Sequence, residues 1–261
     1  MDLAFIFTIG ACVGSFLGVC VCRIPEGKSI IFPRSRCECG AAIPFWLNIP
    51  LVSWLCLRGK ARCCGRQIPA RYFIIELLTA TLFAGLYLSY SLPNFIVGTI
   101  FCSLLLVVAF IDIATMEVYE AMVIGGICIG LVASWLVPGW QGEQFRFESM
   151  LKGVFGMCFG SGLIFWIAVL GEMAFRREAI GTGDIKVIGM IGAFIGWKGC
   201  LWAIFGGCLL SATILLPVLL GAKIIKKEKF KLPREVPFIP FLAVGSIAYV
   251  LFPQTLTNIF F

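Results

Sequence analysis

The chain has 261 residues, of which 60% are apolar and only 13% charged, with a net charge of +7. That much apolar surface exceeds what a soluble core of this size encloses, so the solvent is a membrane, and the positive balance reads as basic loops on one membrane face rather than a nucleic-acid site. The absence of histidine excludes Ser-His-Asp and Cys-His nucleophilic sites, HExxH zinc proteases and His-ligated metal or haem centres, leaving acid–base chemistry to Asp, Glu, Lys, Tyr or Cys.

In chain order, apolar runs cover about Leu3–Val21, Tyr72–Tyr90, Phe95–Ile111, Tyr119–Val137, Leu151–Phe175, Ile185–Trp197, Cys200–Leu220 and Val236–Phe252. A spanning helix takes roughly 20 residues, so the runs predict an all-α polytopic membrane protein with about eight transmembrane helices. The sixth run is short and Gly-rich. The first is not read as a signal peptide, because Asp2 precedes it, no Lys or Arg does, and the charge follows at Arg23. The thirteen cysteines are an odd number, and many lie inside apolar runs, which does not describe a secreted disulfide scaffold.

Arg23–Arg71 carries nine Lys/Arg and two Glu, and Lys223–Glu235 carries six Lys/Arg and two Glu. The positive-inside rule makes both segments cytoplasmic. Eight spans then give an N-out, C-out topology with one Cys-containing cytoplasmic loop.

Two aspartates stand where apolar runs end or begin: Asp112 in VVAFIDIATMEVYEAM and Asp184 in REAIGTGDIKVIGM. The expected topology puts both at the cytoplasmic membrane boundary. Either alone reads as an interfacial residue, and Asp184 after Gly183 suits a helix start. Together they read as a pair in which one carboxyl holds a proton while the other is ionised, the arrangement that activates water and protonates a leaving amine. Gly181 and Gly183 permit close backbone approach and positive φ, so a carboxylate can lie beside a substrate strand. Glu117 reads as a solvated loop charge. Lys186 is expected either to pair with a nearby carboxylate or to snorkel to the interface.

Cys37, Cys39, Cys63 and Cys64 lie in the basic loop, in SRCECGAAI and GKARCCGRQI. Two readings stand side by side: a small zinc ribbon, or reduced thiols left from a decayed metal site. The usual knuckle is Cys-x-x-Cys; Cys-x-Cys closes a smaller ring, and adjacent cysteines tend to point apart. The spacing therefore predicts weak zinc binding or none.

Taken together, these segments resemble the type 4 prepilin leader peptidases, bifunctional membrane aspartyl proteases. The resemblance covers nearly the whole chain. It rests on GACVGSFLGVCVCRIPEGKSIIFPRSRC at the start, NIPLVSWLCLRGK and IPARYFIIELLTA (Ile68–Ala80) in the loop and second helix, Asp112, Asp184 in GTGDIK, and PFIPFLAVG near the end. There are departures. Gly18 stands where the family has Asn, the first cysteine pair is one residue short, Ala61 takes a usual Cys position, and Val118-Tyr119-Glu120 replaces Ile-Pro-Asp.

The resemblance implies an inner-membrane endopeptidase that removes the basic leader of prepilin-like substrates after a Gly, at the cytoplasmic face. Asp112 and Asp184 would be catalytic, supported by Gly181, Gly183, Lys186 and Glu120. The peptidase would need no cofactor. S-adenosylmethionine would be the methyl donor if the chain also N-methylates the new N-terminus, and methylation is expected to suffer more than proteolysis from the altered loop. Glu120 and Glu178 are candidates for reading a basic leader, and the basic loops for contacting anionic lipid; no nucleic acid is expected. The implied division is a first helix (1–22), a basic Cys-rich loop (23–71) and a transmembrane peptidase domain (72–261). Rival readings are a transporter or channel, since intramembrane carboxylates and broken Gly-rich helices also suit ion pathways, and a non-catalytic assembly factor with a degenerate loop.

Overall fold

A computed structural model describes residues 2–32, 35–37, 39–176, 180–224, 236–253 and 255. Glu178 and the basic stretch 225–235 lie outside them. The helices are α1 (Leu3–Arg23), α2 (Val52–Cys56), α3 (Ala70–Ser89), α4 (Leu92–Thr115), α5 (Glu120–Leu136), α6 (Arg146–Phe175), α7 (Thr182–Ile224) and α8 (Ile239–Leu251). Among the described residues there is no strand, only isolated bridges between Arg36 and Ala42 and between Lys60 and Gln67. In α1, α3, α4, α6 and α7 the helices are long and apolar enough to cross a membrane, while α5 and α8 are apolar but shorter. The protein is an all-α, multi-pass membrane protein, as the composition predicts.

The chain forms two compact units, residues 1–111 and 112–261. In the first, α1 packs on α3 along a seam of small residues four apart. A Cβ on Gly10 would lie 2.8 Å from Ala80 Cα, and one on Gly14 would lie 2.7 Å from Glu76 Cα. Without a hydrophobic drive between helices in lipid, such close backbone contact is what holds them together. Gly18 continues the seam, where a Cβ would sit 3.1 Å from the Tyr72 ring.

In the second unit the same device joins α6 to α7: a Cβ on Gly192 would come 2.3 Å from the Gly156 carbonyl oxygen. The two apolar runs expected at 185–197 and 200–220 are the two arms of α7. At Gly196 the backbone leaves the helical region, with φ 70° and ψ −177°. The Cys200 thiol then lies 3.6 Å from the Ile188 carbonyl oxygen. Twelve residues of straight helix would separate them by about 18 Å, so α7 folds back on itself. The break comes at Gly196, slightly before the gap at 198–199 between the two expected runs. It frees carbonyls that lipid cannot satisfy. Trp140 Nε1 donates to the Phe194 carbonyl at 2.8 Å, and Ser134 Oγ donates to that of Ala193 at 3.1 Å.

Candidate active site and cysteine cluster

Asp112 sits in the last turn of α4 and is only 6% exposed. A carboxylate at a helix C-terminus faces the negative end of the macrodipole. The backbone amide of Ile239, the first residue of α8, acts on the Asp112 carboxyl in the opposite sense. Asp112 Oδ2 is buried and has no hydrogen-bond partner among the described residues. Asp184 lies half-buried in the first turn of α7. The two carboxyls are near enough for the charge of Asp112 to act on Asp184. Asp112 thus stands at the end of α4 and Asp184 at the start of α7.

Two contacts position the Gly-x-Gly-Asp turn. Gly183 lies against Val118, so that a Cβ there would be 2.5 Å from Val118 Cγ2 and 3.0 Å from Val118 Cβ. Neither Gly181 nor Gly183 has a positive φ. What calls for glycine at Gly183 is its close approach to the Val118 side chain. Lys186 Nζ pairs with Glu120 Oε1, tying the start of α7 to the start of α5; of the two roles expected for Lys186, this is the pairing one. Glu117 is exposed and accepts a hydrogen bond from the Tyr119 hydroxyl at 3.2 Å. The sequence reading missed Val118 and Ile239. The signals for Ile239 were its place in PFIPFLAVG and the flanking Pro237 and Pro240, which mark a helix start.

In the first unit the four loop cysteines converge. Their sulfurs all lie within 4.8 Å of one another, with Cys37–Cys64 at 3.6 Å and Cys39–Cys63 at 3.4 Å. A tetrahedral zinc with sulfurs at about 2.3 Å sets neighbouring sulfurs about 3.8 Å apart. The cluster fits such an ion. The expectation that adjacent thiols diverge is not met, because the close pairs form between the two loops rather than within each. Gly40 and Gly65, directly after the two cysteine pairs, take positive φ (87° and 69°) and turn each loop back. The Cys39 amide, followed by the neighbouring thiols, draws the Cys37 thiol down to about 7. Donation to Cys37 pushes the Cys63 thiol up to about 12.

The fold is that of an integral membrane protein, with a four-thiol cluster in the first unit and, in the second, aspartates at the ends of two helices. Residues 8–90 match the bacterial peptidase A24 N-terminal domain, and residues 99–216 match the type IV leader peptidase family. Three relatives bear the name prepilin leader peptidase/N-methyltransferase. The Bacillus subtilis protein is 31% identical over 99% of this chain and 97% of its own length. The Klebsiella pneumoniae protein is 31% identical over 75% of this chain and 86% of its own. The Myxococcus xanthus protein is 33% identical over 83% of this chain, which spans 63% of that relative. No solved structure matches. The chain belongs to the type IV leader peptidase family.

Proposed function

We propose that Asp112 and Asp184 are the acid–base pair with which this chain, a prepilin-processing peptidase by family, cuts leaders from prepilin-like precursors. The observation that supports the reading is the buried Asp112 Oδ2 that no described group satisfies, at the end of α4, with Asp184 at the start of α7 within reach of its charge. One aspartate takes a proton from water as the oxygen attacks the scissile carbonyl. The other gives a proton to the departing amine, so the proton balance closes within the pair. The site is read as facing the cytoplasm of a bacterial inner membrane, since the basic loops set that orientation. The exposed Glu120 carboxyl is engaged by Lys186, so a basic leader would have to compete for it. A transporter is disfavoured by the family and by the carboxyls standing at helix ends.

Asp112→Asn and Asp184→Asn should each lower cleavage by at least about 10²-fold, while the protein still inserts in the membrane. Leader loss from a co-expressed prepilin-like substrate, followed by mass spectrometry, is the assay. Activity retained in either variant removes that residue from the site. A wild-type chain that never cleaves supports the assembly-factor reading instead.

Cys37, Cys39, Cys63 and Cys64 would hold zinc, which would supply a structural cross-link between the two loops, as it does in other small ribbons. N-methylation of the new terminus is proposed from the relatives' names. S-adenosylmethionine would supply the methyl group, and the same mass spectrum shows whether a methyl is added.

A further inference from the structure

Within the basic connection between α1 and α3 lies a stretch of opposite character. Ala41–Leu57 contains no charged residue, and it is followed by Arg58, Lys60, Arg62 and Arg66. It forms a 3-10 turn (Phe45–Asn48) and the short helix α2. It docks on α3. Trp54 stacks on Phe73 with ring centroids 4.9 Å apart, and the Leu51 amide donates to Glu76 Oε2 at 2.7 Å. Phe45, Trp46, Ile49, Val52 and Leu55 in the same stretch stay exposed, by 82, 53, 47, 52 and 57%. A water-facing loop does not gather five large exposed apolar side chains within eleven residues.

The depth of the docking says what covers them. α3 begins at Ala70, so Glu76 lies about 9 Å along its axis at 1.5 Å per residue. Its 20 residues make about 30 Å, the thickness of the hydrocarbon core. A segment clamped to Glu76 and Phe73 therefore lies below the end of a spanning helix, at the depth where in-plane segments sit, about 5–10 Å into the headgroup and acyl boundary. Exposed Trp and Phe, with basic residues at the trailing edge, match that boundary in composition and charge.

We infer that residues 43–57 form an in-plane membrane anchor whose occupant is the lipid surface, with Phe45, Trp46, Ile49, Val52 and Leu55 in the acyl boundary and the Arg58–Arg66 basic cluster among anionic headgroups. This inference does not depend on the peptidase site. It makes the Cys-rich loop a membrane-seated element rather than a free cytoplasmic one, with Glu76 as the residue that sets its depth.

The test places the photoreactive analogue p-benzoylphenylalanine at Phe45, at Val52 and, as the aqueous reference, at Arg62. The full chain is reconstituted in nanodiscs of phosphatidylethanolamine and phosphatidylglycerol, irradiated, and weighed intact. Lipid adducts at positions 45 and 52 should exceed those at 62 by on the order of fivefold, as expected for side chains in the acyl boundary. Equal adduct yields at all three positions would overturn the inference. So would cross-links from 45 and 52 to a second copy of the chain, or to an added prepilin-like substrate, in place of lipid. Glu76→Ala should lower the lipid adducts at 45 and 52 severalfold, and Glu76→Gln, which keeps an acceptor for the Leu51 amide, should restore them. If both Glu76 variants retain full adduct yield, the depth argument fails.

Discussion

Adding one methyl at Gly183 tests whether close packing positions the Gly-x-Gly-Asp turn. In Gly183→Ala the new Cβ would sit 2.5 Å from Val118 Cγ2 and 3.0 Å from Val118 Cβ. Carbon atoms prefer about 3.5–4.0 Å, so the turn or Val118 must move by about 1 Å. Val118 is β-branched and stiff at χ1, so rotation gives little relief. It lies two residues before Glu120, whose pairing with Lys186 also restrains the turn. Overpacking of this kind costs about 1–3 kcal/mol, and a 1 Å displacement at a reacting group costs on the order of 10²-fold in rate. We therefore expect Gly183→Ala to lower leader cleavage by about 10²-fold, with normal membrane insertion. Val118→Ala removes the clashing Cγ2, so the double variant should recover most of the loss. The assay is a prepilin cleavage time course read by mass spectrometry, arranged as a double-mutant cycle. Activity in Gly183→Ala within a few-fold of wild type, or a double variant no better than the single, would refute the packing argument.

Three further outcomes follow from the same structure. Purified protein should carry one tightly held zinc by elemental analysis, and the Cys37→Ser/Cys64→Ser double variant should lose it; metal-free wild-type protein would mean that sulfur convergence alone does not make a site. The Glu120–Lys186 pair is 67% and 42% exposed, so Lys186→Met should cost no more than about 1 kcal/mol of stability in thermal unfolding; a larger loss would show that the pair is shielded from solvent. Reporter fusions after residues 60 and 224 should both report cytoplasm and a C-terminal fusion the outside, whereas a cytoplasmic C-terminus would end the eight-span reading.

The membrane class was legible in composition, because a bilayer selects apolar content directly. Asp112 and Asp184 were legible because a carboxyl beside an apolar run stands out, and because Gly-x-Gly-Asp is a linear pattern. Both arms of α7 were visible as separate runs, since a fold-back needs a Gly-rich interruption that the sequence displays. The break at Gly196 was less visible, because its position depends on Trp140, Gln141 and Ser134 reaching the freed carbonyls from another part of the chain.

The sequence by itself determined what is local: helix-length apolar runs, charge asymmetry, the two aspartates and the glycines that precede the second. Tertiary structure decided what joins residues far apart in the chain. Chelate reasoning within Cys37-Glu38-Cys39 and within Cys63-Cys64 pointed away from a metal site, yet pairing between the loops brings all four sulfurs within 4.8 Å. Val118 against Gly183, the Ile239 amide at Asp112 and Glu76 under Leu51 belong to the same class. Each is a contact between segments whose separate patterns carry no trace of the other, because period and spacing encode the face a residue takes on its own helix and not the neighbour that covers it.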